Sequence, residues 1–461
     1  MSKLPSGWTT AKVDDVALLN PKNVCSDDLE VGFVPMPLVG TNYRSKIGFE
    51  PRTWGQIKKG YTHFADGDVL LAKITPCFEN GKAGLVSGMP NNLGAGSTEY
   101  FVNRPYSGVV DARYLLAFFK TEAFLKAGEL QMTGSVGHKR VPKEYLLEAE
   151  IPLAPFSEQK RIADKLDTVL ARIDSCRDRL DRIPVILKRF RQSVLAAATS
   201  GVLTEEWRKQ LNRQDDWDLV SLADIGELGR GKSKHRPRND PRLYGGPYPF
   251  IQTGAVAQSG GFITTHSQTY SEFGLSQSKL WPAGTLCITI AANIADTAIL
   301  TYPACFPDSV VGFVINPAKC IPQYVKWSID VISDQLESFA PATAQKNINL
   351  AVLNDVRFKC PDIEEQTEIV RRVESLFAYA DRLEARYNTA RAQVEKLTPA
   401  LLAKAFRGEL VPQDPNDEPA SELLARIAAA KSDVQPKMRA GRQRKSQQAT
   451  QANSDETNPV A

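Results

Sequence analysis

Two long segments of the chain carry apolar residues at steps of three and four. The main positions are Ile162, Leu166, Val169, Ile173, Leu180 and Leu187 in the first segment, and Ile369, Val373, Leu376, Leu383, Val394 and Leu401 in the second. A helix packed on a single domain can show such a stripe. Because the repeat of about 3.5 residues lasts for about five heptads, with charged residues between, it favours a coiled coil. Pro184 and Pro399 should kink or end their helices locally.

The two helical segments are similar in sequence. FSEQKRIADKLDTVLARID from Phe156 matches IEEQTEIVRRVESLFAYAD from Ile363, and Gln159 corresponds to Gln366, an offset of 207 residues (366 − 159). The regions before them match more loosely, with Trp8 corresponding to Trp217. The chain is therefore predicted to repeat a module followed by a helix.

This repeat predicts an α+β protein with two mixed α/β modules in tandem, separated by two long helices. A helix from Ile162 to Val194 would be about 50 Å long, so the second helix should return antiparallel to it and the modules should be related by an approximate twofold axis. The predicted divisions are a first module at 1–153, a helical region at 154–208, a second module at 209–360, a helical region at 361–412, and a short helix capped by Ser421 with a disordered basic tail at 413–461.

Composition narrows the classes of protein that remain. A net charge of +4 is too small to indicate a nucleic-acid partner by itself. Seven cysteines without a CxxC pair, and only four histidines, argue against a disulfide framework and a zinc site. The chain shows no secretory signal and no apolar run of about 18 residues, so we expect a cytoplasmic protein without a membrane partner.

The stretch GELGRGKS, from Gly226 to Ser233, fits the phosphate-binding pattern GxxxxGK[ST] of nucleotide hydrolases. Such a loop needs a helix directly after it. Prolines and glycines crowd the residues after Ser233, at Pro237, Pro241, Gly245, Gly246, Pro247 and Pro249, and oppose that helix. We therefore interpret the stretch as a glycine-flanked basic loop that contacts the phosphates of DNA, with a nucleotide hydrolase as the alternative.

Other polar residues in turn-rich segments are candidates for DNA contact, although an ordinary surface role is as plausible for each alone. In the second module the basic candidates belong to the glycine-flanked loop described above, where DNA contact is favoured over a solvated surface loop, and they are Arg230, Lys232, Lys234, His235, Arg236 and Arg238. In the first module they are Arg44, Lys46, Lys73, Asn80, Lys82, His138, Lys139 and Arg140, and the position matching the last three holds Gln345, Lys346 and Asn347.

Four stretches resemble the two conserved helical regions of the specificity subunits of Type I restriction–modification enzymes, in particular the Type IA group. They are PLAPFSEQKRIADKLD, LKRFRQSVLAAATSGVLTEEWR, EEQTEIVRRVESLFAYAD and LLAKAFRGELVP. The resemblance implies two target-recognition domains, each binding one half of a bipartite asymmetric DNA sequence, and a coiled coil that sets the spacer. IQTGAV, from Ile251, is similar to a family motif in which Gln252 and Thr253 meet bases.

The resemblance also implies partners that carry the chemistry. The coiled coil would dock two modification subunits, which bind S-adenosylmethionine and methylate adenine, and the complex would recruit motor-nuclease restriction subunits that use ATP and magnesium. This chain itself would be non-catalytic, with no cofactor or metal, and it lacks the NPP[FY] methyltransferase signature. The alternatives are a P-loop NTPase with coiled-coil arms and a coiled-coil scaffold that binds no DNA.

Overall fold

A computed structural model describes residues 4–135, 137–214, 217–291, 295–333 and 350–428. The chain divides into two compact units. Unit 1 comprises Met1–Leu180 and Ala390–Ala461, and unit 2 comprises Asp181–Thr389. None of the helices in the described ranges is long and apolar enough to cross a membrane.

Unit 1 combines short strands with helices. The strands are β1 (Thr9–Lys12), β2 (Ala17–Leu19), β3 (Glu30–Val34), β4 (Glu50–Thr53), β5 (Thr62–Ala65), β6 (Val69–Ala72), β7 (Ala83–Leu85), β8 (Leu93–Gly96), β9 (Tyr100–Pro105) and β10 (Glu150–Leu153). They form the sheets β2-β9-β6-β7 and β4-β3-β8-β5 and the pair β1-β10. The helices are α1 (Val13–Val16), α2 (Trp54–Ile57), α3 (Ala112–Phe119), α4 (Glu122–Gln131), α5 (Lys143–Glu148) and α6 (Phe156–Leu180).

Unit 2 is also mixed. Its helices are α7 (Ile183–Ser200), α8 (Glu205–Gln210), α9 (Leu222–Ile225), α10 (Thr253–Gln258), α11 (Glu272–Ser276), α12 (Pro322–Val331) and α13 (Leu350–Asn354). Its strands are β11 (Asp218–Ser221), β12 (Gly226–Arg230), β13 (Tyr244–Phe250), β14 (Phe262–Ile263), β15 (Gln268–Tyr270), β16 (Leu286–Thr289), β17 (Thr297–Leu300), β18 (Val310–Ile315) and β19 (Arg357–Cys360). They form the sheet β12-β18-β16-β17-β14 and the pairs β13-β15 and β11-β19.

The long helical segments differ in part from the prediction. The single helix predicted from Ile162 to Val194 is wrong, because α6 ends at Leu180 and α7 begins at Ile183, with Pro184 in its first turn. Proline lacks the N–H for the helical bond and is tolerated at a helix start. The second segment, α14 (Ile363–Phe406), continues through Pro399.

In each unit the long helices pair antiparallel. In unit 1, Arg177 of α6 donates to Thr398 Oγ1 of α14 at 3.1 Å, while Arg161, earlier in α6, pairs with Asp417, later in the chain. In unit 2, Arg191 of α7 bonds Asp381 at 2.7 Å, and the Leu203 carbonyl beyond α7 accepts from Arg372, which lies earlier in α14. In both units, positions further along the first segment therefore contact positions closer to the start of the second, as antiparallel packing requires.

The predicted seam residues are at least half-buried, but some of them contact the modules as well as a second helix. Ile162, Leu166, Ile173, Leu187, Ile369 and Val373 are buried, and Val169, Leu180, Leu376, Leu383, Val394 and Leu401 are half-buried. Ile162 and Leu166 share a core with Tyr114 and Leu115 of α3. The apolar stripe therefore packs both on a module, as a single-domain helix would, and on a second helix, as a coiled coil would. Residues 420–428 are helical, so Ser421 lies inside the helix and does not cap it.

A buried glutamate and glutamine at the start of each long segment fasten it to its module. In unit 1, Trp8 Nε1 donates to Glu158 Oε2 at 3.0 Å. Gln159 Oε1 accepts from the Asp111 N–H, and its Nε2 donates to the carbonyl oxygens of Val109 and Ala154, all within 2.9 to 3.0 Å. We call this set of bonds, formed by one tryptophan, one glutamate and one glutamine, the clamp.

Unit 2 has the same clamp. Trp217 Nε1 donates to Glu365 Oε2 at 3.0 Å. Gln366 Oε1 accepts from the Ile321 N–H at 2.8 Å, and its Nε2 donates to the carbonyl oxygens of Lys319 and Pro361 at 3.1 and 2.7 Å. The strand after each tryptophan pairs with the strand before each glutamate, Thr9 opposite Leu153 and Asp218 opposite Cys360. The sequence repeat is therefore a structural repeat.

Replacing Gln159 with leucine should lower the free energy of unfolding by about 3 to 5 kcal/mol, since the Asp111 N–H and two carbonyl oxygens lose their partner and each buried orphan costs about 1–3 kcal/mol. Urea denaturation measures this change. The control is Gln131→Leu at the exposed end of α4, where we expect a change within about 0.5 kcal/mol. Equal losses in the two variants would contradict the structural role of the clamp.

Candidate DNA-binding surfaces

The GELGRGKS stretch is part of a sheet and not a phosphate-binding loop. Gly226–Arg230 is strand β12, paired antiparallel with β18, and the described residues 231–240 contain no helix. Its glycines are explained by packing, since a Cβ at Gly229 would lie 2.6 Å from the Trp281 ring and one at Gly231 would overlap the Pro307 carbonyl. The nucleotide-hydrolase interpretation therefore lacks both the loop and the helix that it needs.

The basic residues after β12 divide into paired and unpaired groups. Arg238 bonds the Asp308 carboxylate at 2.9 Å and Arg230 donates to the Asp308 carbonyl. Lys232 and Lys234 are exposed and have no ion pair among the residues that the structure describes. These two lysines are the side chains of the loop best placed to meet phosphate.

The same loop is held in shape by local bonds. His235 Nε2 lies 2.8 Å from Asp240 Oδ2, and the imidazole packs edge-on to the Phe273 ring at 5.2 Å. Arg236 donates to the carbonyl oxygens of Ser233 and His235. Hydrogen bonds from Arg242 and then His235 hold the pKa of Asp240 below its usual range. His235 and Arg236 thus shape the loop.

Gln252 and Thr253 lie at the start of α10. Gln252 is exposed, and its Nε2 donates to Gln268 Oε1 of β15 at 2.7 Å. Thr253 is half-buried. Gln252 therefore presents an amide to solvent beside a second amide, an arrangement that can donate and accept at base edges. Gln345, Lys346 and Asn347 lie outside the described residues.

In unit 1, two candidates share a small cavity. Arg44 and Asn80 line a space of about 170 Å³ together with Asp174 and Arg177, and Arg44 pairs with Asp174 at 3.2 Å. Lys46 is exposed in the same loop as Arg44. The loop that follows Val39 and the turn that contains Asn80 thus lie side by side.

Two candidate lysines of unit 1 are partly withdrawn from solvent. Lys82 Nζ donates to the Met36 carbonyl at 3.0 Å, and Lys73 Nζ lies 5.4 Å from the centre of the Phe101 ring. Lysine is a strongly hydrated cation. Because its ammonium group is bonded to the Met36 carbonyl, Lys82 serves mainly to stabilise its own module.

The structure brings His138, Lys139 and Arg140 next to Lys73. The Val141 N–H donates to the Lys73 carbonyl at 2.8 Å and the Thr75 N–H to the Lys139 carbonyl at 3.0 Å. Arg140 forms a two-bond pair with Glu99, at 2.9 and 2.7 Å, which holds the pKa of that carboxyl below its usual value. His138 and Lys139 remain exposed beside this pair.

One buried lysine was not among the residues predicted from the sequence. Lys120 follows the apolar helix α3 directly, in the stretch LLAFFK. Its ammonium group donates to the carbonyl oxygens of Thr41 and Gly81, which lie in the segments of Arg44 and Asn80. A lysine after an apolar run is ordinary at a helix end. The only signal was the length of that run, which does not separate a buried lysine from an exposed one.

The chain matches the family described as Type I restriction modification DNA specificity domain at residues 5–184 and again at 214–390. It is 46% identical over 173 residues to the Type I restriction enzyme EcoAI specificity subunit of Escherichia coli, a match that covers 37% of this chain and 29% of that protein. It is 27% identical to the EcoKI specificity subunit of Escherichia coli K12, covering 93% of this chain and 97% of that protein.

One solved chain supports the same fold. It comes from a structure concerned with complex assembly and conformational transition of the type I R-M system, with a TM-score of 0.72, 19% identity, and coverage of 89% of this chain and 100% of that chain. The family match falls once on each copy of the clamp, at Glu158 in the first range and at Glu365 in the second. The chain belongs to the Type I restriction modification DNA specificity domain family.

Proposed function

We propose that this chain is the DNA-specificity subunit of a Type I restriction–modification complex, and that each unit reads one half of a bipartite asymmetric site. The observation that carries the proposal is the duplicated clamp. It joins the start and end of each module to a long helix by the same bonds. A shared frame with different exposed polar residues is what two different half-sites require.

The exposed surfaces of the units differ in chemistry. Unit 1 offers Lys46, His138 and Lys139, while unit 2 offers Lys232, Lys234 and Gln252. Lysines supply affinity for the phosphate backbone of any sequence, whereas amides can distinguish bases. Different side chains on one frame therefore support recognition of an asymmetric sequence.

The helices supply the proposed assembly role. Antiparallel pairing by Arg177 with Thr398 in unit 1 and by Arg191 with Asp381 in unit 2 supports a spacer of fixed length. We infer that these helices dock two modification subunits, which hold S-adenosylmethionine and methylate adenine. Restriction subunits that use ATP and magnesium would join through that complex, in the cytoplasm, and this chain would carry no cofactor and no catalytic residue.

Lengthening both helical segments should widen the spacer between the half-sites. Four residues inserted after Leu180 and four after Thr389 add about 6 Å, or about two base pairs. We expect duplexes selected from a random library by the complex with its modification subunit to keep both half-sites and gain that spacer. The control is the same insertion after Gln413, in an exposed segment beyond α14.

Three outcomes of the selection separate the hypotheses. A wider spacer with unchanged half-sites supports the proposal. An unchanged spacer contradicts the role of the helices, and the selection of no sequence by the complex favours a scaffold that binds no DNA.

Replacing Lys232 with alanine should weaken DNA binding uniformly across sequences and reduce the slope of log affinity against log salt by about 1, because one phosphate contact is lost. Fluorescence anisotropy over a range of salt concentrations measures both effects. The control is Lys209→Ala, which removes an exposed lysine that pairs with Glu205 within α8. ATP hydrolysis by the purified chain that disappears in the Lys232 variant would overturn the DNA interpretation of this loop.

A further inference from the structure

Lys120 is a buried cation whose donors are all used by backbone carbonyl oxygens. Lys120 is only 9% exposed. Its Nζ donates to the carbonyl oxygens of Thr41 at 2.8 Å, Gly81 at 2.6 Å and Ala83 at 2.7 Å. An ammonium group has three N–H donors and no acceptor. The three bonds therefore satisfy it completely.

The carbonyl oxygens belong to two segments that carry candidate DNA contacts. Thr41 precedes Arg44 and Lys46 in one loop, and Gly81 follows Asn80 at the end of a turn. Gly81 has φ of 66°, and a Cβ there would lie 3.2 Å from Leu125 of α4, so the turn comes close to the helices. Because Lys120 directly follows α3, and α3 packs on α6, the lysine ties both segments to the scaffold.

Unit 2 has the opposite charge at the matching place. Tyr114 and Tyr324 correspond, since their hydroxyls donate to the carbonyl oxygens of Pro152 at 2.7 Å and Lys359 at 2.6 Å, each in the strand before the clamp glutamate. Lys120 and Asp330 each lie six residues later (120 − 114 and 330 − 324). Asp330 accepts from Thr297 at the start of β17 and from Lys326. The same helix end thus holds its module with a cation in one unit and an anion in the other.

We propose that Lys120 is a positioning residue for DNA recognition by unit 1. It fixes the Arg44 loop and the Asn80 turn at one separation, and so sets which bases unit 1 accepts. This inference rests on the proposed function, because it concerns the same recognition surface.

The protonation state of Lys120 provides a second measurement of its role. Burial lowers the pKa of the Lys120 ammonium to about 7. Below that pH the ammonium has three donors for three carbonyl oxygens, whereas the neutral amine has two, so one carbonyl loses its partner as the pH rises. The charged side chains that line the adjoining cavity are Arg44, Asp174 and Arg177. Deprotonation of Lys120 should therefore weaken half-site recognition by unit 1 as the pH rises.

The experiment compares the complex with its modification subunit on three duplexes, one with the selected site, one with the first half scrambled and one with the second half scrambled. The ratio of affinities for intact and scrambled duplexes measures discrimination at each half. The variants are Lys120→Met, which removes all donors, and Lys120→Gln, which keeps two and guards against misfolding of the first. Lys126→Met, an exposed lysine on α4 that pairs with Glu122, is the matched control.

We expect Lys120→Met to reduce discrimination at one half by at least about tenfold, the effect of losing one or two base contacts. The other half and the Lys126 control should be unchanged. Between about pH 6 and about pH 8.5 the same ratio should fall more steeply in the wild-type complex than in Lys120→Gln, whose side chain at position 120 does not titrate.

Two results would overturn this inference and leave the proposed function intact. Unchanged discrimination at both halves in Lys120→Met, which removes all three donors, would show that the carbonyl bonds do not govern recognition. Equal losses at both halves, together with a lower midpoint of thermal unfolding, would show that Lys120 only stabilises the fold. If the wild-type complex discriminates at neither half, the proposed function itself fails, and this inference fails with it.

Discussion

A buried carboxylate and amide at the start of each long segment hold the structure together. Glu158 and Glu365 each accept the indole N–H of a tryptophan about 150 residues earlier, and the adjacent glutamine closes the module by three bonds to its backbone. Burying these polar groups is costly unless every one is bonded. The clamp therefore fixes how each module sits on its long helix. The positions of the outward-facing loops of the module depend on that arrangement.

The two clamps are not equally satisfied. Glu365 also accepts from Arg208 and Thr204, both buried, whereas Glu158 Oε1 has no hydrogen-bond partner within the described part of the chain. Burial raises the pKa of Glu158, and the Trp8 bond and Arg161 oppose that rise. Unit 2 thus holds its glutamate by a buried ion pair, and unit 1 relies on the tryptophan and on the more distant Arg161.

The sequence predicted the features that depend on repetition and periodicity. The offset from Gln159 to Gln366 located the clamp, although not its bonds, because matching letters do not reveal which backbone groups a side chain meets. Pro184 indicated the break before α7, and the prolines after Ser233 excluded the nucleotide loop, because proline acts locally. The prediction of one continuous helix from Ile162 to Val194 was wrong, because Pro184 lies at the start of a new helix.

The chemistry of individual side chains was harder to predict. Arg140, Lys82 and Arg238 looked like free cations, yet Glu99, the Met36 carbonyl and Asp308 engage them. Their partners come from distant parts of the chain, up to 70 residues away, and only the fold brings them together. Lys120 escaped notice because its burial is set by three carbonyl oxygens that no residue pattern encodes.

The most direct test of two-module recognition is to co-express this chain with its modification subunit and map methylated adenines across the host genome. We expect one asymmetric bipartite motif, with two short specific halves separated by a spacer of constant length and unspecified sequence. Methylation at a single continuous motif, or none that depends on this chain, would contradict it.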